Sequence, residues 1–175
     1  MRRFFLYKVE PVHIIITAVL TVLLLGIMDI YTLPTIAKEA GGIPAFDLQT
    51  FGYSKETAMQ FLTKLSAEGK ALFLNFQLPL DYLFAVVYTF LFLALFTRLH
   101  EIGYKLSFLP FILFGLDIME NTLSVVFLKS ASVPDILFTV GSAVTLTKNI
   151  FTLVCTLTVI VFLVLWLKNR KKNKA

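Results

Sequence analysis

The sequence predicts an all-α polytopic membrane protein with four transmembrane helices and one extracytoplasmic amphipathic helix between the first two. Hydrophobic residues make up 58% of its 175 positions and the mean hydropathy is +0.83, so polar residues are too few to cover a soluble core. Four apolar segments are long enough to cross a hydrocarbon core of about 30 Å, which needs about 20 helical residues. Because a bilayer cannot satisfy open backbone groups, we expect these segments to be helices packed as one bundle in a single domain.

The predicted transmembrane helices are residues 12–33, 71–96, 106–128 and 140–167. The first follows the basic start MRRFFLYK and resembles a signal peptide, but its apolar run is longer than an h-region, which favours a retained anchor. The second contains Pro79, which cannot donate a hydrogen bond to the carbonyl of Asn75. A kink and a free acceptor are therefore predicted there.

Basic residues predict the orientation of the chain. Only Lys129 lies in the short loop between the third and fourth helices, whereas ten bases lie on the opposite side. These ten are Arg2, Arg3, Lys8, Arg98, Lys105 and the five bases of the terminal stretch KNRKKNK. Both termini are therefore predicted to be cytoplasmic. The net charge of +5 is interpreted as this flank, and no nucleic-acid partner is expected.

Residues 34–70 form the predicted extracytoplasmic segment. After the turn signals AGGIP, Ser54 is an N-cap candidate, Glu56 falls in a first helical turn and Gly69 is a stop signal. Apolar residues at helical spacing predict an amphipathic helix of about three turns; they are Ala58, Met59, Leu62 and Leu65. Such a helix either lies on the bilayer and caps the bundle or covers a site as a lid.

Polar residues interrupt the apolar helices in three stripes and at one isolated acid. Helical spacing places Asp117, Glu120 and Asn121 on one face. Gln77, Asp81 and Tyr88 form a second stripe. The third stripe and the isolated acid comprise Thr145, Lys148, Asn149, Thr152, Thr156 and Asp29. With the predicted orientation the charged groups share the outer half of the bilayer, which predicts a polar chamber in the outer leaflet.

The chemistry of this chamber is constrained by charge. An ionised side chain at a helix centre costs about 2.5–3.5 kcal/mol, so its acids must be paired, protonated or hydrated. Lys148 can neutralise one carboxylate; the others repel each other, and at least one is predicted to be neutral near pH 7. The alternative is that these groups only hold helices together, at about 0.6 kcal/mol per hydrogen bond.

Other chemistry is less well supported by the sequence. His13 and His100 are isolated near the predicted cytoplasmic side, so no metal site or other cofactor is expected. Ser124, Ser142 and Cys155 have no histidine base at their depth, which argues against a nucleophilic triad. Glycines at three helical positions are interpreted as sites of close helix approach; they are Gly26, Gly115 and Gly141.

The stretch GIMDIYTLP, the FQLP of Phe76 to Pro79 and the basic tail resemble the EXPERA family of sterol isomerases and a lipophilic-ligand receptor. That resemblance implies an acid in the first helix, matched by Asp29, that contacts a cationic ligand or carbocation. The position of the family's second acid is occupied here by Phe73, which cannot take the role of an acid. FDLQTFGYSKE, PLDYLF and DIMEN are more similar to small uncharacterised bacterial four-helix membrane proteins. This second resemblance implies a bacterial plasma membrane as the location, and it implies no activity.

The leading functional hypothesis is a binding module for a lipid or amphiphilic small molecule. Its predicted ligand-binding residues are Asp29, Gln77, Asp81, Tyr88, Asp117, Glu120, Asn121, Lys148 and Asn149. One alternative is an enzyme on a lipid-soluble substrate, with Asp81, Asp117 and Glu120 as catalytic candidates. Another is an accessory subunit that docks on a membrane-protein partner or forms a homo-oligomer.

Overall fold

The structure is a computed structural model that describes residues 9 to 172, and every regular element in that range is helical. Four helices are long and apolar enough to cross a membrane, and a shorter helix lies between the first two. In chain order they are α1 (Pro11–Glu39), α2 (Lys55–Lys64), α3 (Ala67–Leu99), α4 (Phe108–Lys129) and α5 (Asp135–Lys172). The all-α class with four candidate spans is confirmed. Arg2, Arg3, Lys8 and the last residues of the basic tail lie outside the described range.

Helix α3 is the centre of the bundle. Helices α1, α4 and α5 each pack against it, and α4 also packs along α5. Most apolar side chains of α1 and α5 point away from the bundle and are exposed, as Val22 and Leu153 illustrate. The buried polar groups described below therefore come mainly from α3, α4 and the inward face of α5.

Helices α1 and α3 each contain a π-helical segment that ends two residues before a proline. Met28–Thr32 precedes Pro34, and Phe73–Gln77 precedes Pro79. Proline lacks the amide N–H of the regular ladder, and the wider turn lets each helix continue past the missing bond. Helix α1 therefore runs to Glu39 and not to residue 33. Near Pro79, where a kink and a free acceptor are predicted, the structure has the π-helical segment Phe73–Gln77.

Two serine caps set the boundaries around α2. Ser54 Oγ accepts a hydrogen bond from the Thr57 amide at 3.2 Å, as predicted for an N-cap. Ser66 Oγ accepts from the Gly69 amide at 3.0 Å and caps α3. Gly69 consequently lies in the first turn of α3 and is not a stop, which moves the start of that helix from residue 71 to Ala67.

Helix α2 has 10 residues, so its predicted length is confirmed. Its buried face differs from the prediction: Ala58 and Phe61 are 1% exposed, while Met59 is 44% exposed. Phe61 reaches into an aromatic cluster with Phe46 and Phe73, with ring centroids 4.9 and 6.2 Å away. Aromatic packing, which dominates buried area in such clusters, decides which face of the helix points inward.

The three helical glycines have different surroundings. A Cβ atom on Gly26 or Gly115 would meet nothing within 4 Å, so neither provides a close helix contact. A Cβ on Gly141 would lie 2.3 Å from the hydroxyl of Tyr53 and 3.1 Å from the ring of Phe127. The prediction of close approach is therefore confirmed for Gly141 and wrong for the other two.

Candidate functional site

The buried polar stripes of α4 and α5 meet at an ion-pair network. Asp117, Glu120 and Asn121 are at most 5% exposed and share one face of α4, as predicted. Lys148 of α5 forms an ion pair with Glu120 Oε2 and lies 3.4 Å from Asp117 Oδ1. Thr145, one turn earlier, donates to Glu120 Oε1. Both carboxylate oxygens of Glu120 therefore have partners.

Asp81 brings α3 into the same site. It is 6% exposed and close enough to Lys148 and Glu120 to interact with their charges. Its carboxyl also approaches the side chain of Asn121, although the Asn121 Nδ2 group has no hydrogen-bond partner of acceptable geometry. Asp81 thus lies inside the network without an ion pair of its own among the described residues.

A fourth carboxyl, which the sequence analysis missed, is supplied by the connection between α1 and α3. Asp47 lies in the 3-10 turn Phe46–Leu48. The residue as a whole is partly exposed, yet its carboxyl oxygen Oδ1 is buried and unpartnered. We call Asp47, Asp81, Asp117, Glu120 and Lys148 the acidic cluster.

The pKa of Asp47 reflects these surroundings. Burial raises this pKa to about 7, and the negative charges of Asp81 and Glu120 act in the same direction, while Lys148 opposes them. Asp47 therefore titrates near neutral pH.

The turn that carries Asp47 belongs to a docking loop, residues 45–53, which packs onto α5. The amide of Tyr53 donates to Ser142 Oγ at 2.8 Å, and Asn149 Nδ2 donates to the Thr50 carbonyl at 3.0 Å. Phe46 is 3% exposed and packs against Phe127 with ring centroids 5.3 Å apart. These contacts hold the loop over the acidic cluster.

Glycine is required at one position of the docking loop. Gly52 has φ +81°, and a Cβ there would lie 2.5 Å from Ser142 Oγ. Close by, burial and then the charge of Glu120 raise the pKa of the Tyr53 hydroxyl well above its usual range. The loop thus presents a carboxyl and a neutral phenol towards α4 and α5.

The other predicted site residues lie apart from the acidic cluster or at its edge. Gln77 is buried and accepts a hydrogen bond from Thr32 of α1, so it contributes to a helix contact. Tyr88 is buried between Phe84 and Phe92, two turns below Asp81, and its hydroxyl has no partner. Asn149 contacts the docking loop, as described above.

Two predicted placements are wrong. Asp29 lies on the exposed surface of α1, so the structure does not bring it into the cluster. The lower part of the α5 stripe also turns outward, because Thr152 and Thr156 are exposed while Cys155 faces the bundle. Only the upper part of that stripe, from Thr145 to Asn149, reaches the site.

The spacing of the carboxyls limits what they can bind. Within residues 9 to 172, no three His, Cys, Asp or Glu side chains lie close enough together to share a metal ion. Two large grooves lie elsewhere: one of about 660 Å³ contains Arg98 and Trp166, and one of about 410 Å³ contains Lys55 and Ser132. The acidic cluster is therefore a charge network of four acids and one base, without the close carboxyl spacing that a metal ion requires.

Comparison with protein-family models, curated proteins and solved structures found no match. The residues of the acidic cluster carry the functional inference by themselves.

The raised pKa of Asp47 predicts a pH-dependent stability. Its folded-state pKa of about 7 exceeds the ordinary value of 3.8, so the folded protein keeps a proton that the unfolded chain has lost. This contribution is present below about pH 4 and is lost as the pH rises through 7, with a slope of up to about 1.4 kcal/mol per pH unit. The Asp47→Asn variant should lack this pH-dependent contribution when its thermal unfolding is measured between pH 4 and 8.

Asp135→Asn is the control for that experiment, because the Asp135 side chain is 74% exposed and remote from the cluster. It should keep the wild-type pH profile. Equal slopes in wild type and Asp47→Asn would contradict the assignment.

Proposed function

We propose that this integral membrane protein binds the cationic head group of a lipid or other amphiphilic molecule at the acidic cluster. The observation that carries the proposal is the imbalance of charge around Lys148. Lys148 is shared between Glu120 and Asp117, and within the described chain Asp47 and Asp81 form no ion pair. Two carboxyls are thus free to interact with an added cation.

Burial makes this imbalance costly. Four ionised acids around one lysine leave a net charge of −3, and removing uncompensated charge from water is strongly unfavourable. The excess is relieved either by protonation or by a bound cation. A bound cation stabilises the ionised carboxylates and is itself stabilised by their negative charge. Hydrophobic packing alone does not require four acids around one lysine.

The depth of the cluster suits an amphiphile. About 20 residues of α5 separate Lys148 from Lys168, and this length of helix spans about 30 Å, the thickness of the hydrocarbon core. When the basic end of α5 lies at one surface of the hydrocarbon core, Lys148 therefore lies near the opposite surface. Head groups lie at that level, with their tails beside the helices.

The same placement gives an orientation. With the basic end of α5 in the cytoplasm, the docking loop and α2 lie on the outer side and cover the cluster. The site would then meet amphiphiles of the outer leaflet. The exposed apolar faces of α1 and α5 suit contact with lipid tails.

A thermal-shift experiment tests the binding site. Dodecylamine, added to the protein in a non-ionic detergent, should raise the unfolding temperature of the wild type, since a ligand of the folded state stabilises it. Asp81→Asn should abolish most of this rise, and Asp29→Asn should retain it because Asp29 lies outside the cluster. An equal rise in Asp81→Asn would contradict the proposal.

A further inference from the structure

We propose that the site selects a protonated amine bearing N–H groups and releases the proton of Asp47 as the amine binds. This inference rests on the proposed function and specifies its ligand class. It follows from the geometry of the docking loop, which places the unpartnered Oδ1 atom of Asp47 in the acidic cluster.

The first step concerns hydrogen bonding at Asp47. Its Oδ1 atom is buried and makes no hydrogen bond, and only the backbone amide of Asp47 itself acts as a hydrogen-bond donor towards the carboxyl. Buried acceptors are almost always partnered, and an ionised carboxylate needs donors more than a neutral acid does. A primary ammonium group supplies three N–H donors, whereas a quaternary ammonium supplies none. The site should therefore distinguish the two cations although their charge is the same.

The second step concerns the charges around Asp47. The negative charges of Asp81 in α3 and Glu120 in α4 act on Asp47, and the positive charge of Lys148 in α5 opposes them. Lys148 is already engaged by the two acids of α4. An ionised Asp47 is therefore repelled by more charge than attracts it, and a proton relieves that repulsion when no ligand cation is present.

The third step is the exchange itself. The amine enters as R–NH₃⁺, the carboxylic acid of Asp47 becomes a carboxylate, and its proton leaves to the solvent. The total charge of the cluster does not change, so the exchange avoids adding net charge to a buried site. The pKa of Asp47 near neutrality makes this proton available at physiological pH.

Isothermal titration calorimetry of the full chain in dodecyl maltoside tests the exchange. Dodecylamine and dodecyltrimethylammonium are titrated at pH 6 and 7, each in two buffers of different ionisation enthalpy, with heats into protein-free micelles subtracted. We expect the amine to bind at least tenfold more tightly than the quaternary probe. Proton release should be about one per amine at pH 6 and about half at pH 7, as a pKa of about 7 requires.

Asp47→Asn should lose the proton release and most of the preference for the amine, and Asp29→Asn should keep both. Equal affinity for the two probes without proton release would overturn this inference but leave the proposed function standing. Proton release that persists in Asp47→Asn would overturn the role of Asp47. If neither probe binds the wild type, both proposals fail.

Discussion

Lys148→Met is expected to destabilise the protein by about 3–5 kcal/mol, because it leaves buried carboxylates without their cation. Glu120 and Asp117 are 2% and 5% exposed, so water cannot replace the lost charge. Methionine keeps much of the length of the lysine stem, which confines the change mainly to the charge. Equilibrium unfolding in detergent measures the effect.

An exposed ion pair provides the matched control. Lys55 lies 2.6 Å from Asp135, but these side chains are 46% and 74% exposed. Lys55→Met should cost at most about 1 kcal/mol, the usual limit for a surface pair. Adding Glu120→Gln and Asp117→Asn to Lys148→Met should restore much of the lost stability. A Lys148→Met protein as stable as Lys55→Met would show that the cluster is hydrated and not buried.

Gly103→Ala is the second change with a large expected effect. Gly103 lies in the turn between α3 and α4, and a Cβ there would be 1.8 Å from the carbonyl oxygen of Phe96. The obstacle is backbone, which cannot rotate away as a flexible side chain would. The turn must separate from the end of α3, at a cost of about 3 kcal/mol. The same unfolding experiment measures it.

Gly115→Ala is the control for this substitution. A Cβ on Gly115 meets nothing within 4 Å, and the residue lies inside α4. Alanine is the better helix former by about 0.5–1 kcal/mol, so stability should rise slightly. The two substitutions are chemically identical and are predicted to have opposite signs. A neutral Gly103→Ala would contradict the tight turn described here.

Hydropathy and length were sufficient to predict the four candidate spans, because only long apolar helices have this composition. The boundaries were harder to predict where a proline or a glycine signals an end. Pro34 does not end α1, because a π-helical turn absorbs the missing hydrogen bond. Gly69 does not end α2, because Ser66 starts a new helix three residues earlier. In both places a signal that ends a helix competes with a local feature that continues or restarts one, and a single sequence does not reveal which prevails.

The site was predictable where it follows helical periodicity. The spacing of Asp117, Glu120 and Asn121 placed them on one buried face, and the upper α5 stripe met them there. Asp47 was not predictable in this way, because the charged residues that act on it are distant in sequence. Its own segment is also too short to show a helical periodicity. The position of Asp47 between Phe46 and Leu48, directly after the turn signals, was the one available sign of a buried turn.

The central claim is that the acidic cluster binds an amphiphilic cation, and native mass spectrometry of the gently purified protein tests it most directly. The spectrum of the wild type is compared with those of Asp47→Asn/Asp81→Asn and of Asp29→Asn/Asp135→Asn, two variants with the same change of charge. We predict a co-purified amphiphilic cation on the wild type and on the second variant, and its absence from the first. Retention of the same bound species by Asp47→Asn/Asp81→Asn would contradict the account.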